Sequence, residues 1–174
     1  IAAAAKAKLE VNLYHRSVKR EKAIARVLKE AGAEEILGMD KEYLEIIPEI
    51  HSDRRRVDKR GLLIADVAFI PLEDGDRTEA LVKLGKRIVA VDLNPLSRTA
   101  QMSTITIVDN IVRALPLLVD YVKRMSKEPE SSLKKIIESF DNRVNLTEAI
   151  KLINLRLSQL AETGLRQNNR EGDG

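Results

Sequence analysis

Residues 88–110, IVAVDLNPLSRTAQMSTITIVDN, crowd acids, amides and one arginine into a pattern suited to a ligand bearing phosphates and hydroxyls. Two apolar runs, 88–91 and 105–108, each end in polar groups: Asp92 and Asn94 after the first, Asp109 and Asn110 after the second. Open α/β sheets bind ligands in the crevice outside the carboxyl ends of their strands, and a carboxylate there can accept ribose hydroxyls. Between the runs, Arg98 offers a fixed cation whose planar fork of donors matches a phosphate, and Thr99 adds a hydroxyl. Asn110 and Ile111 open a helix, whose first N–H groups and positive dipole end favour an anion or the acceptor edge of a base. A nucleotide fits this chemistry. Plainer roles stand beside each assignment: Asp92 as a cap for its own loop through Asn94 or Ser97, Arg98 as a surface ion pair, and Asp109 or Asn110 as a helix N-cap.

A second loop, EDGDRT at 73–78, holds Glu73, Asp74 and Asp76 as carboxylates for Mg²⁺ or an amine, and Arg77 as an anion contact. Its structural alternative makes Asp76 the N-cap of a helix, with Glu79 as capping-box partner. Asn12, Tyr14, His15 and Arg16 close another candidate strand and can line the same crevice, but spacing pairs no acid with His15 as a general base. His51, beside an arginine cluster, is equally open. Neither GxGxxG nor GxxxxGK[ST] is present, which disfavours an ordinary dinucleotide dehydrogenase or P-loop enzyme. With no cysteine and two histidines, disulfides, thiolate catalysis and cysteine-based zinc sites are excluded, and a metal would rest on carboxylates or phosphates.

These side chains require an α/β frame. Leu9, Val11 and Leu13 alternate as in a strand; Ser17 then caps a helix carrying Ala23, Ile24, Val27, Leu28 and Ala31, stopped by Gly32. Residues 35–37 form a short strand, and 38–60 show no period, which predicts a long loop or partly helical lid. From 65–71 the apolar run is that of a buried parallel strand, followed by a helix ending at Gly85 and a strand at 88–91. A further strand at 105–108 leads into a helix over about 110–124 with Pro116 inside, where a kink is expected. Strand, helix, strand, loop, strand, helix predicts an α/β domain with parallel pairing.

Residues 126–164 read as an appended helical pair, its second member starting at Asn145 with Glu148. Leu133, Ile136, Ile137 and Phe140 mark the first helix; Leu146, Ile150, Ile153, Leu157 and Leu160 give the second a near-heptad stripe that docks on its own domain or on a second subunit. Residues 165–174 are polar and are expected to be disordered.

The chain has 174 residues, 44% of them hydrophobic, enough for one ordinary core with an appended element. No apolar run approaches the roughly 20 residues that span a bilayer, and no secretion signal precedes the domain, so a cytoplasmic protein is expected. Charged residues at 33% with aromatics at 3% match the composition of thermophile proteins. The opening IAAAAKAKLE, without an initial Met, reads as the end of a helix running into a strand, so the chain is expected to start inside a longer one. The segment SDRRRVDKR at 52–60 holds five cations against two acids and so carries the whole formal net charge of +3. It is a solvated loop, a steering patch for anionic substrates or a nucleic-acid contact, although few aromatics are present to stack on bases.

PLEDGDRTEALVKLGK at 71–86, VAVDLNPLSRTAQ at 89–101 and TITIVDNI at 104–111, preceded by KLEVNLYHR at 8–16, resemble the archaeal 4-phosphopantoate beta-alanine ligase family, also called phosphopantothenate synthetase. The resemblance covers about residues 1–125, which form the Rossmann-like nucleotide-binding domain of that family, and leaves 126–174 outside. It implies a cytoplasmic, homodimeric ligase of coenzyme A biosynthesis that uses ATP, with Mg²⁺, to join 4-phosphopantoate and beta-alanine, releasing AMP and diphosphate. By that likeness ATP contacts fall on Asp92, Leu93 and Asn94, on Arg98 and Thr99, and on Asn110 and Ile111. Among them Arg98, as the fixed cation that can stabilise charge growing on the phosphates, is expected to be the catalytic arginine. Asn12, Arg16, Asp76 and Arg77 follow as substrate or metal contacts. The family pattern is departed from in QMSTITI and in the basic SDRRRVDKR, neither of which removes a polar group from the nucleotide site. A nucleotide-binding module without ligase chemistry, or a nucleic-acid-binding protein using 52–60, are the competing functions.

Overall fold

A computed structural model describes residues 1–50, 52–71 and 74–164. The expected features at His51, Leu72, Glu73 and residues 165–174 lie outside this set.

The helices are α1 (Ala2–Ala5), α2 (Val18–Glu30), α3 (Gly75–Lys83), α4 (Arg98–Met102), α5 (Ile111–Met125), α6 (Glu130–Ser139) and α7 (Asn142–Thr163). The strands are β1 (Leu44–Ile46), β2 (Arg56–Asp58), β3 (Val67–Pro71), β4 (Arg87–Val91) and β5 (Ile105–Ile107). β3, β4 and β5 form a parallel sheet in sequence order, with Ala90 opposite Ile70 on one side and Thr106 on the other. The α/β class and parallel sheet read from the sequence therefore hold. Because the three strands are parallel and consecutive, their carboxyl ends share one edge, and the loops that follow them must lie together there.

Stops and starts follow local chemistry. Ser17 caps α2 by accepting the Arg20 N–H, and Gly32 ends it at φ 90°, a backbone conformation that favours glycine. α3 starts differently from the expectation. Asp74, not Asp76, is its N-cap and accepts the Arg77 N–H at 3.0 Å, which leaves Asp76 in the first turn with its carboxylate turned outward. Glu79 pairs with Lys83 one turn later instead of closing a capping box. α5 runs through Pro116; the carbonyl of Val112 thereby loses its helical donor, at an exposed site where water can replace it.

Three expectations are corrected. Residues 9–13 and 35–37 do not become strands: a single parallel bridge joins Glu10 to Leu37 through two backbone bonds, Val11 N–H to Leu37 O and Leu37 N–H to Leu9 O, too few for a ladder. The Glu10 carboxylate accepts the backbone N–H groups of Asp58 and Leu62. Residues 38–60 are not a lid. Their described residues form two short 3-10 turns, Lys41–Tyr43 and Asp53–Arg55, so the partly helical character holds. Around these turns the antiparallel β1–β2 ribbon places Ile47, Ile50 and Val57 in the core beside Ala68, Ile70, Ala80, Leu81, Ile88 and Ala90. Three-residue strands are too short to show a period. Finally, α7 starts at Asn142, capped by Asp141, so Asn145 and Glu148 lie inside the helix.

α7 makes its contacts with the sheet domain through its first turns, against α4 and β5. Leu146 is its only buried residue, whereas Val144, Ile150, Leu152, Ile153, Leu155 and Leu157 are exposed. A helix with apolar residues on more than one side normally lies against a partner surface.

Candidate functional site

The strand-end edge holds the polar residues singled out between 92 and 110, and the loop after β4 is closed by its own hydrogen bonds. Asp92 accepts the Asn94 N–H at 2.9 Å on one oxygen and the Ser97 hydroxyl at 2.5 Å on the other. The same Ser97 oxygen accepts the Ala100 N–H and so caps α4, while Asn94 accepts the Leu96 N–H. Asp92 is thus a loop cap, as its plainer role required. It retains lone pairs, since each carboxylate oxygen accepts two bonds. The Asp92 N–H donates to Ile107 O at 3.0 Å, which ties the ends of β4 and β5 together.

Arg98 opens α4 and is 57% exposed. Its guanidinium bonds Asp76 and lies 3.5 Å from Glu79, both on α3. Asp76 foremost holds the Arg98 pKa above its ordinary value, and Lys83 foremost holds the Glu79 carboxyl below the usual range, with Arg98 contributing. This pairing was missed in the sequence because it spans 22 residues and depends on the α3–α4 packing. That packing is close: Thr78 and Thr99 bring their hydroxyl oxygens to 3.4 Å. Thr99 is 2% exposed, so its side chain faces the interior and not the crevice. What Thr99 can present to a ligand is backbone in the first turn of α4.

After β5, Asn110 caps α5 by accepting the Val112 N–H at 2.9 Å. Asp109 accepts the Asn110 N–H and the Arg113 guanidinium, and Arg113 foremost holds its carboxyl below the usual range. Ile111 is the first residue of that helix. Leu93 stands 64% exposed between Asp92 and Asn94. The structure therefore brings Asp92, Leu93, Asn94, Arg98, Asn110 and Ile111 to one edge of the sheet, with Asp76 alongside.

The other candidates sit elsewhere. Arg77 is 6% exposed and is close enough to the half-buried Glu10 to lower its pKa, which burial foremost raises. Asn12 donates to Glu10 at 2.7 Å, and Arg16 bonds Gly38 O and Glu21. The side chains of Asn12 and Arg16 thus brace the 10–38 segment. The basic cluster is divided: Arg54 pairs with Asp74 and lies over Tyr14, while Arg60 grips Asp58 with two bonds and stacks 3.6 Å over Tyr43. No helix of the described residues is long and apolar enough to cross a membrane.

The model of the phosphopantothenate/pantothenate synthetase family matches residues 1–156. The chain belongs to this family. Proteins named 4-phosphopantoate--beta-alanine ligase are 47% identical over 166 residues in Thermococcus kodakarensis and 46% in Thermococcus onnurineus, covering 95% of this chain and 63% of each relative. The Methanosarcina mazei protein of that name is 45% identical over 159 residues, covering 91% of this chain and 62% of its own length. The chain thus spans less than two thirds of the length of these synthetase relatives. The family match runs past residue 125, where the resemblance read from the sequence stops, and takes in α6 and most of α7.

Proposed function

We propose that the full-length protein carrying this chain joins 4-phosphopantoate to beta-alanine at the expense of ATP, forming 4′-phosphopantothenate, AMP and diphosphate. The name shared by the relatives, 4-phosphopantoate--beta-alanine ligase, supports the overall reaction. The observation that carries the nucleotide part is Arg98: an exposed guanidinium at the strand-end edge, held by the two carboxylates Asp76 and Glu79, which an incoming phosphate can replace. In an AMP-forming ligase the acid substrate's carboxylate attacks the α-phosphate, diphosphate leaves, and the amine then attacks the acyl adenylate. Charge grows on phosphate oxygens in the first step, and a cation fixed beforehand stabilises it without reorganising.

In this assignment Arg98 is the catalytic arginine, and Asp92, Leu93 and Asn94 hold the nucleoside. Thr99 contributes backbone, and Asn110 with Ile111 presents the start of α5. Asp76 faces the phosphates. Asn12, Arg16 and Arg77 act on substrates only through the segments they brace. Among the described residues no three carboxylates or histidines gather into a metal cage. That fits Mg²⁺, which takes most of its ligands from phosphates and water and needs one or two carboxylates. Asp76 is the residue placed to supply one, and the ion would contribute charge neutralisation.

A cytoplasmic location and a homodimer complete the proposal, the homodimer supported by the exposed apolar residues of α7. The basic segment 52–60 offers no equal case for nucleic acid, since two of its arginines are committed to Asp74 and Asp58. The test is product analysis of the full-length protein with ATP, 4-phosphopantoate and beta-alanine. AMP formation that needs both substrates supports the proposal; ATP binding without AMP formation refutes it in favour of a nucleotide-binding module.

A further inference from the structure

We infer that Asn142, at the root of α7, is a positioning residue for the nucleotide site; the inference rests on the proposal that the 92–99 segment binds ATP. A five-residue helix such as α4 does not hold itself, because helix nucleation is unfavourable and so short a run recovers few bonds. Its orientation is set by what grips its two ends. The N-terminal end carries Arg98 and is fixed by Ser97, Asp92 and the Thr78–Thr99 contact. The C-terminal end is held from outside. The Asn142 amide donates to Ala100 O at 3.0 Å, to Ser103 O at 2.9 Å and to Thr106 Oγ1 at 3.2 Å, and its oxygen accepts the Thr106 N–H at 2.9 Å.

Both donor and acceptor functions of one side chain are therefore spent on joining α4 to β5. Thr106 reinforces the junction by donating its hydroxyl to Ala100 O at 2.7 Å, and Asn145 adds a bond to Thr106 O at 2.9 Å. Ala100, Ser103 and Thr106 are all buried, so water does not readily replace a lost amide. Asn142 lies 44 residues beyond Arg98, and nothing in the local sequence signals the link. Through it the C-terminal helix sets the tilt of the helix that presents Arg98.

The test compares Asn142→Asp with Leu146→Ala in the full-length protein. Asn142→Asp keeps the acceptor for the Thr106 N–H and removes both donors. Leu146→Ala loosens the buried contact of α7 one turn further on and leaves the amide network in place. KM for ATP, kcat and thermal midpoint are measured for each, with ATP binding by calorimetry. The inference requires Asn142→Asp to raise KM and Kd for ATP by about tenfold, the equivalent of one lost buried hydrogen bond, with Leu146→Ala changing them less than about twofold at a comparable loss of midpoint. Equal ATP constants in both variants, or equal impairment of both, overturn it. If the unsubstituted protein itself binds no ATP, the assignment of the nucleotide site falls, and the positioning role falls with it.

Discussion

Gly75, at the start of α3, lies so close to Arg98 that a β-carbon placed on it would stand 2.6 Å from the Arg98 Cβ. The approach of α3 to α4 is thus set at the point where Arg98 leaves its helix. Gly75→Ala must push the two apart, and overpacking of this kind costs about 1–3 kcal/mol. The expected result is a lower urea midpoint together with weaker ATP binding. Gly85→Ala is the control: it sits at φ 78° with open space around it, so strain lowers stability there without moving α4. Equal ATP affinity for Gly75→Ala and the unsubstituted protein would show that the close approach does not matter to the site.

Arg98→Ala is expected to weaken ATP binding by about ten- to a hundredfold, the range for charge-assisted bonds. It should barely change the melting temperature, because the pair it makes is exposed. Asp76→Asn should act in the opposite direction in the absence of Mg²⁺, tightening ATP binding about twofold or more by freeing Arg98 from its counter-ion. Calorimetry on both variants checks the pair. A tighter complex for Arg98→Ala would remove that residue from the phosphate site.

The fold's pH response centres on Asp58 and Glu10. The Asp58 carboxyl is 0% exposed and, chiefly through Arg60, is held well below the usual carboxylate range. A depressed folded pKa gives stability that is fully present above the unfolded value of about 3.9 and is lost as pH falls below it. Glu10 works against this: burial raises its pKa, so its favourable share is present below about pH 4.3 and is lost as pH rises through the folded value. Melting temperatures between about pH 3 and pH 7 should therefore fall at the acid end, and Asp58→Asn should flatten that fall while lowering stability at neutral pH. An unchanged acid slope in Asp58→Asn would exclude Asp58 as its source.

Much of this was legible in the sequence where a single segment carries its own signal. The apolar runs ending in Asp92 and Asp109 announced strand ends, and Gly32 and Gly85 announced helix stops, because these depend on neighbours in the chain. The capping of α3 was misassigned by two residues, since Asp74 and Asp76 are both chemically fit and only the fold decides between them. The β1–β2 ribbon was invisible for lack of length. Arg98 with Asp76, Thr78 with Thr99, and Asn142 with Thr106 are contacts across 21 to 36 residues, for which one sequence carries no local pattern.

α7 offers a test of assembly. Ile153 and Leu157 lie on one exposed stripe, and if the proposed dimer forms through α7, replacing both by Lys is expected to shift it to monomer in sedimentation equilibrium while leaving the helix content unchanged. A dimer of undiminished strength would place the interface elsewhere.

The nucleotide product decides the central claim. With α-labelled ATP, 4-phosphopantoate and beta-alanine, the full-length protein should form AMP and amide in equal amounts, neither appearing when a substrate is omitted, and Arg98→Ala should slow both together. Formation of ADP, or ATP bound and returned unchanged, would contradict the account.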